Sequence, residues 1–168
     1  MNKALLDTMV GQVIRVDRGG PNAAVGKLLK AGNDYFVLLT KKDGVIIYTT
    51  HHVKSITLDS KDQGASSVSL PEGLEGLFDE DTLKNLLQKI GRRWVKINPE
   101  KLEGVLNEVC EDYLTIIFKE EIIYVSMFHL RNLIISGTSS SDSDDGEDND
   151  ENSSEAQASS SGRRRRRR

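Results

Sequence analysis

Cysteine occurs once in the 168 residues, at Cys110, so an internal disulfide framework is excluded. Cys110 lies in an apolar stretch and reads as a small buried hydrophobe, with a cross-link between chains as the alternative. Histidine occurs three times, at His51, His52 and His129, with no cysteine or acid at ligand spacing nearby, so no metal site is expected. No apolar run approaches the ~20 residues of a membrane span. The N-terminus lacks the charged-then-apolar order of a secretory signal. Synthesis in the cytoplasm without a membrane partner is expected. There is no phosphate loop and no nucleotide fingerprint, and Ser55 and Asp34 form no arguable triad with the histidines. The expectation is a protein that is not an enzyme and needs no cofactor.

Charge of one sign is also missing from the body of the chain. From Ser139 onward there are eight acids and six arginines, which leaves 23 − 6 = 17 basic and 26 − 8 = 18 acidic residues before it. The body is thus −1 and the tail −2, and a near-neutral body gives no electrostatic argument for nucleic acid.

What the chain does contain, it contains twice. Val13-Ile14-Arg15-Val16, Arg18-Gly19-Gly20-Pro21, Gly26-Lys27-Leu28-Leu29, Asp34-Tyr35, Ile46-Ile47-Tyr48 and His52-Val53-Lys54-Ser55-Ile56 follow one another. Later come Trp94-Val95-Lys96-Ile97, Pro99, Gly104-Val105-Leu106, Asp112-Tyr113, Ile122-Ile123-Tyr124 and His129-Leu130-Arg131-Asn132-Leu133. From Pro21/Pro99 to Tyr35/Tyr113 the offset is 78, which pairs Gly26 with Gly104; Tyr48 and His52 are read against Tyr124 and His129. Only the first copy keeps Arg-Gly-Gly ahead of its proline.

Leu5, Leu6, Met9 and Val10 have helical spacing before Gly11. Leu83, Leu86, Leu87 and Ile90 stand at i, i+3, i+4 and i+7, with carboxylates at 79–81 on the positive end and Gly91 as a breaker. Segments 13–17, 35–40 and 45–48 read as strands, and Lys42-Asp43-Gly44 as a tight hairpin turn. Trp94 is expected to pack in a core or between the two units. Four or five short antiparallel strands per unit bury a core most easily by curling. The fold expected is mostly β with short helices: two tandem small Sm-like or Src-homology-like β-barrels, each preceded by a short α-helix. Their bounds are 1–60 and 78–136, joined by a linker at 61–77, and residues 74–78 are expected to pack where the linker meets the second helix. The segment 137–168, rich in Ser, Asp and Glu and then arginine, cannot repay its ordering entropy and is expected to be disordered.

The Arg18-Gly19-Gly20-Pro21, Gly26-Lys27-Leu28, Asp34-Tyr35 and His52-Val53-Lys54-Ser55-Ile56 motifs resemble the repeat of the bacterial endospore coat protein B (CotB) family, over both copies. That resemblance implies a non-enzymatic protein of the outer spore coat, made in the mother-cell cytoplasm. It also implies other spore coat proteins as partners and a coat-associated kinase acting on a serine-rich tail. Family tails mix serine with lysine and arginine, whereas this one separates an acidic from a basic block. The helix-then-five-strands order, with Asn33-Asp34 in a loop, is also similar to the Sm-like barrel, whose corresponding loop would face RNA; fold does not carry function, and the aromatic platform and basic loop RNA needs are not evident.

Two places carry site expectations. The loop Arg18, Gly19, Gly20 and Pro21 is a candidate partner-binding loop, with Arg18 either gripping a carboxylate or solvated. In the tail, Ser139, Ser140, Ser141 and Ser143 are candidate phosphorylation sites; Ser139 stands three residues before Asp142 and Ser141 three before Asp144, as acidophilic kinases favour, and each phosphate adds about −1.5 to −2 charges. Arg163, Arg164, Arg165, Arg166, Arg167 and Arg168 are permanently cationic and suit oxyanions. A dense guanidinium layer attracts silicate and holds silanols together, so the tail is expected to promote silica deposition or to bind other polyanions. An adhesive or solubilising tail, an added tag, or a non-specific nucleic-acid patch would carry the same arginines.

Overall fold

A computed structural model describes residues 1–19, 23–58, 69–70, 73–74, 76–98 and 101–135. Two short helices each lead into five strands. The first set is α1 (Lys3–Asp7), β1 (Val13–Val16), β2 (Ala24–Ala31), β3 (Tyr35–Thr40), β4 (Gly44–Thr49) and β5 (Ile56–Leu58). The second is α2 (Leu83–Ile90), β6 (Trp94–Asn98), β7 (Leu102–Val109), β8 (Tyr113–Phe118), β9 (Glu121–Ser126) and β10 (Asn132–Ile135). Single 3-10 turns occupy Thr50–His52 and Leu77–Asp79.

The helices form where capping chemistry and apolar spacing coincide. Asn2 caps α1 by accepting from the Ala4 N–H at 2.9 Å. In α2, Leu83, Leu86, Leu87 and Ile90 are all buried on one face, Thr82 caps the start, and Gly91 ends the helix at φ +66°. The carboxylate that bonds the first turn comes from elsewhere than the expected 79–81 segment. Asp34 Oδ1, in the first set, accepts the Leu83 N–H at 2.8 Å.

All ladders are antiparallel and run as one sheet in the order β5-β1-β2-β3-β4-β10-β6-β7-β8-β9. Each set therefore has its fifth strand beside its first. Closing a separate barrel would require β4 to return to β5, and β9 to β10. Instead β4 pairs with β10 of the other set, with Val45 opposite Ile135 and Ile47 opposite Leu133. The physical reason lies in β4, where Val45, Ile46, Ile47 and Tyr48 are all buried. A strand apolar on both faces needs cover on both, and the second set supplies it.

Two apolar clusters result. One lies inside the first set and contains Leu6, Ile14, Phe36, Leu38, Ile46 and Tyr48, with the Phe36 and Tyr48 rings stacked at 5.3 Å. The other fills the second set and extends onto the opposite face of β3 and β4, through Tyr35, Val37, Leu39, Val45 and Ile47. Leu74 and Phe78 are buried in this second cluster, as expected at the linker's end. The rest of the linker at 61–68 lies outside the described residues.

One pairing read from the sequence is corrected. The β3–β4 hairpin encloses three residues between Thr40 and Gly44, whose φ is +69°. The β8–β9 hairpin encloses two, between Phe118 and Glu121, with Lys119 at φ +54°. The shorter turn slips the register by one. Tyr48 lies opposite Phe36, but Tyr124 lies opposite Thr115, the position matching Val37. Tyr124 thus stands where Ile47 stands, and Val125 where Tyr48 stands. A one-residue slip moves a side chain to the other face of a strand. Tyr48 is accordingly buried and Tyr124 exposed.

Candidate interaction site

The glycine-rich loop begins from a fixed anchor. Asp17 leaves β1 with φ +50° and is buried. Its Oδ1 accepts the Lys54 and Ser55 N–H groups at 2.8 and 3.2 Å. Its Oδ2 accepts from Arg131 Nη2, just ahead of β10, in an ion pair that ties the first set to the second. From this anchor Arg18 and Gly19 emerge exposed. Gly19 takes φ +84°, a conformation that favours glycine, and the Arg18 N–H reaches Ser55 Oγ at 3.4 Å. Gly20 and Pro21 lie outside the described residues. Seven residues separate β1 from β2 but only three separate β6 from β7, and the shorter connection is the one without Arg-Gly-Gly.

Where the loop returns, a cleft of about 530 Å³ opens along the β4–β10 seam. Lys42 and Asp43 come from the β3–β4 turn, Lys96 and Asn98 from β6, Lys101 from the β6–β7 turn, and Asn132 from β10. The Tyr48 ring forms part of its floor. Burial pushes the Tyr48 phenol up to about 12, helped by the Asp17 and Asp43 charges and opposed by Arg131. Asn132 is buried, and its side-chain oxygen has no hydrogen-bond partner among the described residues. Three lysines against one aspartate favour an anionic group here. No local signal marks this grouping, because the lysines are dispersed over three segments with no run or spacing in common.

The His51 and His52 rings lie 4.2 Å apart, and both present Nε2 to the Phe128 carbonyl, at 3.1 and 2.7 Å. Because that carbonyl only accepts, each ring donates an N–H to it. The His129 ring meets the Phe128 ring edge-on at 5.1 Å, so all three histidines gather around one exposed phenylalanine. Among the described residues no group of three or more His, Cys, Asp or Glu side chains could hold a metal ion. The Asn33-Asp34 loop is engaged within the chain. Asn33 donates its N–H to the Asp81 carbonyl at 2.7 Å, and Asp34 bonds α2.

Trp94 departs from expectation. It is exposed and packs edge-to-face on Phe118 at 6.1 Å, within the second set, because its strand position points away from both clusters. Cys110 is half-buried instead of buried. Ser139, Ser140, Ser141, Ser143 and the six terminal arginines lie outside the described residues.

No family model matches the chain, and no solved structure matches it. Among curated proteins, the chain is 29% identical over 134 residues to spore coat protein B of Bacillus subtilis (strain 168). The match covers 77% of this chain and 34% of that protein, so the chain spans about a third of the length of the curated relative it matches. The Arg18-Gly19-Gly20-Pro21, Gly26-Lys27-Leu28, Asp34-Tyr35 and His52-Val53-Lys54-Ser55-Ile56 motifs point to the same family. This chain is a homologue of spore coat protein B, related to the CotB family.

Proposed function

We propose that the chain is a structural protein of the spore coat, made in the mother-cell cytoplasm and laid into the outer coat layers, without catalytic activity. The likeness to spore coat protein B carries this reading. The strand order supports a duplicated scaffold: one helix-plus-five-strand unit written twice, at 1–60 and 78–136, joined through 61–77, each unit an Sm-like barrel left open between its fourth and fifth strands. Other coat proteins dock at the loop of Arg18, Gly19, Gly20 and Pro21, and an acidic or phosphorylated group on a partner suits the lysine-lined cleft beside it.

The tail at 137–168 has the chemistry for a second task. A coat-associated kinase adds phosphate at Ser139, Ser140, Ser141 and Ser143, and the six arginines bind silicate and favour its condensation on the spore surface. Locating a fluorescently labelled copy in sporulating cells tests the coat assignment; signal remaining in the mother-cell cytoplasm after coat assembly would end it. Elemental mapping of spores tests the tail. Removing Arg163 to Arg168 leaves the amount of coat protein unchanged and lowers silicon; unchanged silicon refutes the mineral role. Salt titration with RNA addresses the Sm-like alternative, which requires binding by residues 1–138.

A further inference from the structure

The junction between the two halves of the chain has unmatched counterparts at both of its ends. At the internal junction, β4 of the first set pairs with β10 of the second, in register from Val45–Ile135 to Tyr48–Asn132. By the same ladders, β9 is the second set's equivalent of β4, and β5 the first set's equivalent of β10. These two strands are the edges of the sheet.

The apolar surfaces follow the same logic. On β3 and β4, Tyr35, Leu39, Val45 and Ile47 are at most 2% exposed, covered by the second set. Their equivalents on β8 and β9 are Tyr113, Ile117, Ile122 and Tyr124, which are 36 to 69% exposed. The fifth position on this face, Thr115, is covered by Asn107, whose amide donates to its hydroxyl at 3.3 Å. On the other side of the internal junction, Leu86 and Ile135 are at most 2% exposed. Their equivalents Leu5 and Leu58 are 48 and 51% exposed. One end of the molecule carries a copy of the surface that is covered inside the chain, and the other end a copy of the surface that covers it.

We propose that copies of this chain join head to tail, β9 of one pairing antiparallel with β5 of the next, in the geometry of the internal β4–β10 junction. The predicted register sets Ile122 opposite Leu58, Ile123 opposite Thr57, Tyr124 opposite Ile56 and Val125 opposite Ser55. Such a contact joins two different patches, so it does not end at a dimer: it continues until it closes into a ring or extends as a filament. A sheet edge with unpaired N–H and C=O groups and exposed apolar side chains is a template for strand addition. The partner is a second copy because the chain already holds one example of the interface.

Sedimentation velocity of the full chain tests this, at salt high enough to screen pairing between the charged tails. The unaltered chain grows in mass with concentration. Ile122→Lys blocks one end and Leu58→Lys the other; both positions are exposed, so the fold persists, as circular dichroism checks. Each variant alone stays monomeric. Their equimolar mixture gives a species of two chains, since each supplies the end the other lacks. An unaltered chain that is monomeric at every concentration overturns the proposal, as does association that neither variant weakens. A mixture of monomers only, or a variant that still dimerises alone, overturns the head-to-tail geometry.

Discussion

Arg131 donates to the carboxylate of Asp17 across 114 positions of sequence, and this ion pair sits where the first strand set meets the second. Asp17 is 6% exposed and also holds two backbone N–H groups, so its removal leaves three donors short of a partner. Breaking one side of such a pair costs about 3 kcal/mol, because the surviving charge stays buried. Asp17→Ala is therefore expected to lower unfolding stability by ~3 kcal/mol in urea titration. Arg131→Ala costs less, since Asp17 keeps its backbone donors. A double-mutant cycle should return a coupling of about 1–3 kcal/mol, and strict additivity would show that the pair links nothing.

Gly26 and Gly104 are each glycine for a reason of space. A Cβ on Gly26 would lie 2.4 Å from the Leu39 carbonyl oxygen, and on Gly104 2.5 Å from both the Ile117 oxygen and Ile116 Cγ2. Backbone cannot yield as a flexible side chain can. Gly26→Ala and Gly104→Ala are each expected to cost roughly 1–3 kcal/mol by thermal unfolding. A melting temperature equal to that of the unaltered chain in either case removes the close approach of β2 to β3, or of β7 to β8, as the cause.

Alkaline pH should destabilise the fold through its buried tyrosines. Burial raises Tyr35 above its usual value of 10 and lifts Tyr48 to about 12. Between pH 10 and 12 the folded chain keeps the Tyr48 proton while the unfolded chain has lost it. Stability is unaffected below pH 10 and falls as pH rises above it, by up to about 1.4 kcal/mol per pH unit for one tyrosine. Denaturant midpoints measured from pH 9 to 12 check this, and Tyr48→Phe should flatten the decline. A slope unchanged by that substitution would place the effect on other groups.

The cleft lysines should govern binding of anions. Lys96→Glu together with Lys101→Glu reverses two of its three cationic groups. Affinity for a phosphorylated, acidic peptide should fall by about tenfold or more for the pair, equivalent to ~1.4 kcal/mol, as read by calorimetry. Arg18→Ala separates the roles: a partner held by the loop loses affinity, whereas one held in the cleft alone does not.

The elements were largely readable from residue order. Alternation marked the strands, i, i+3, i+4 spacing marked α2 from Leu83 to Ile90, and Asp43-Gly44 marked its turn, because each signal is local. The match of Tyr48 to Tyr124 failed for a reason no local signal reveals: one residue fewer in the second hairpin exchanges the faces of β9, yet leaves its composition unchanged. Trp94 misled similarly, since an aromatic at a strand start gives no indication of which face a neighbouring sheet will cover.

The sequence alone determined that there would be two similar sets of strands, each led by a helix, and that one of them would carry the longer glycine-rich loop. Only tertiary structure decided that β4 would take β10 as its neighbour, that Asp17 would meet Arg131, and that dispersed lysines would share a cleft. Strand and helix signals reside in near neighbours along the chain. Strand partners are chosen by which apolar faces remain uncovered, a quantity that exists only once the sheet has formed.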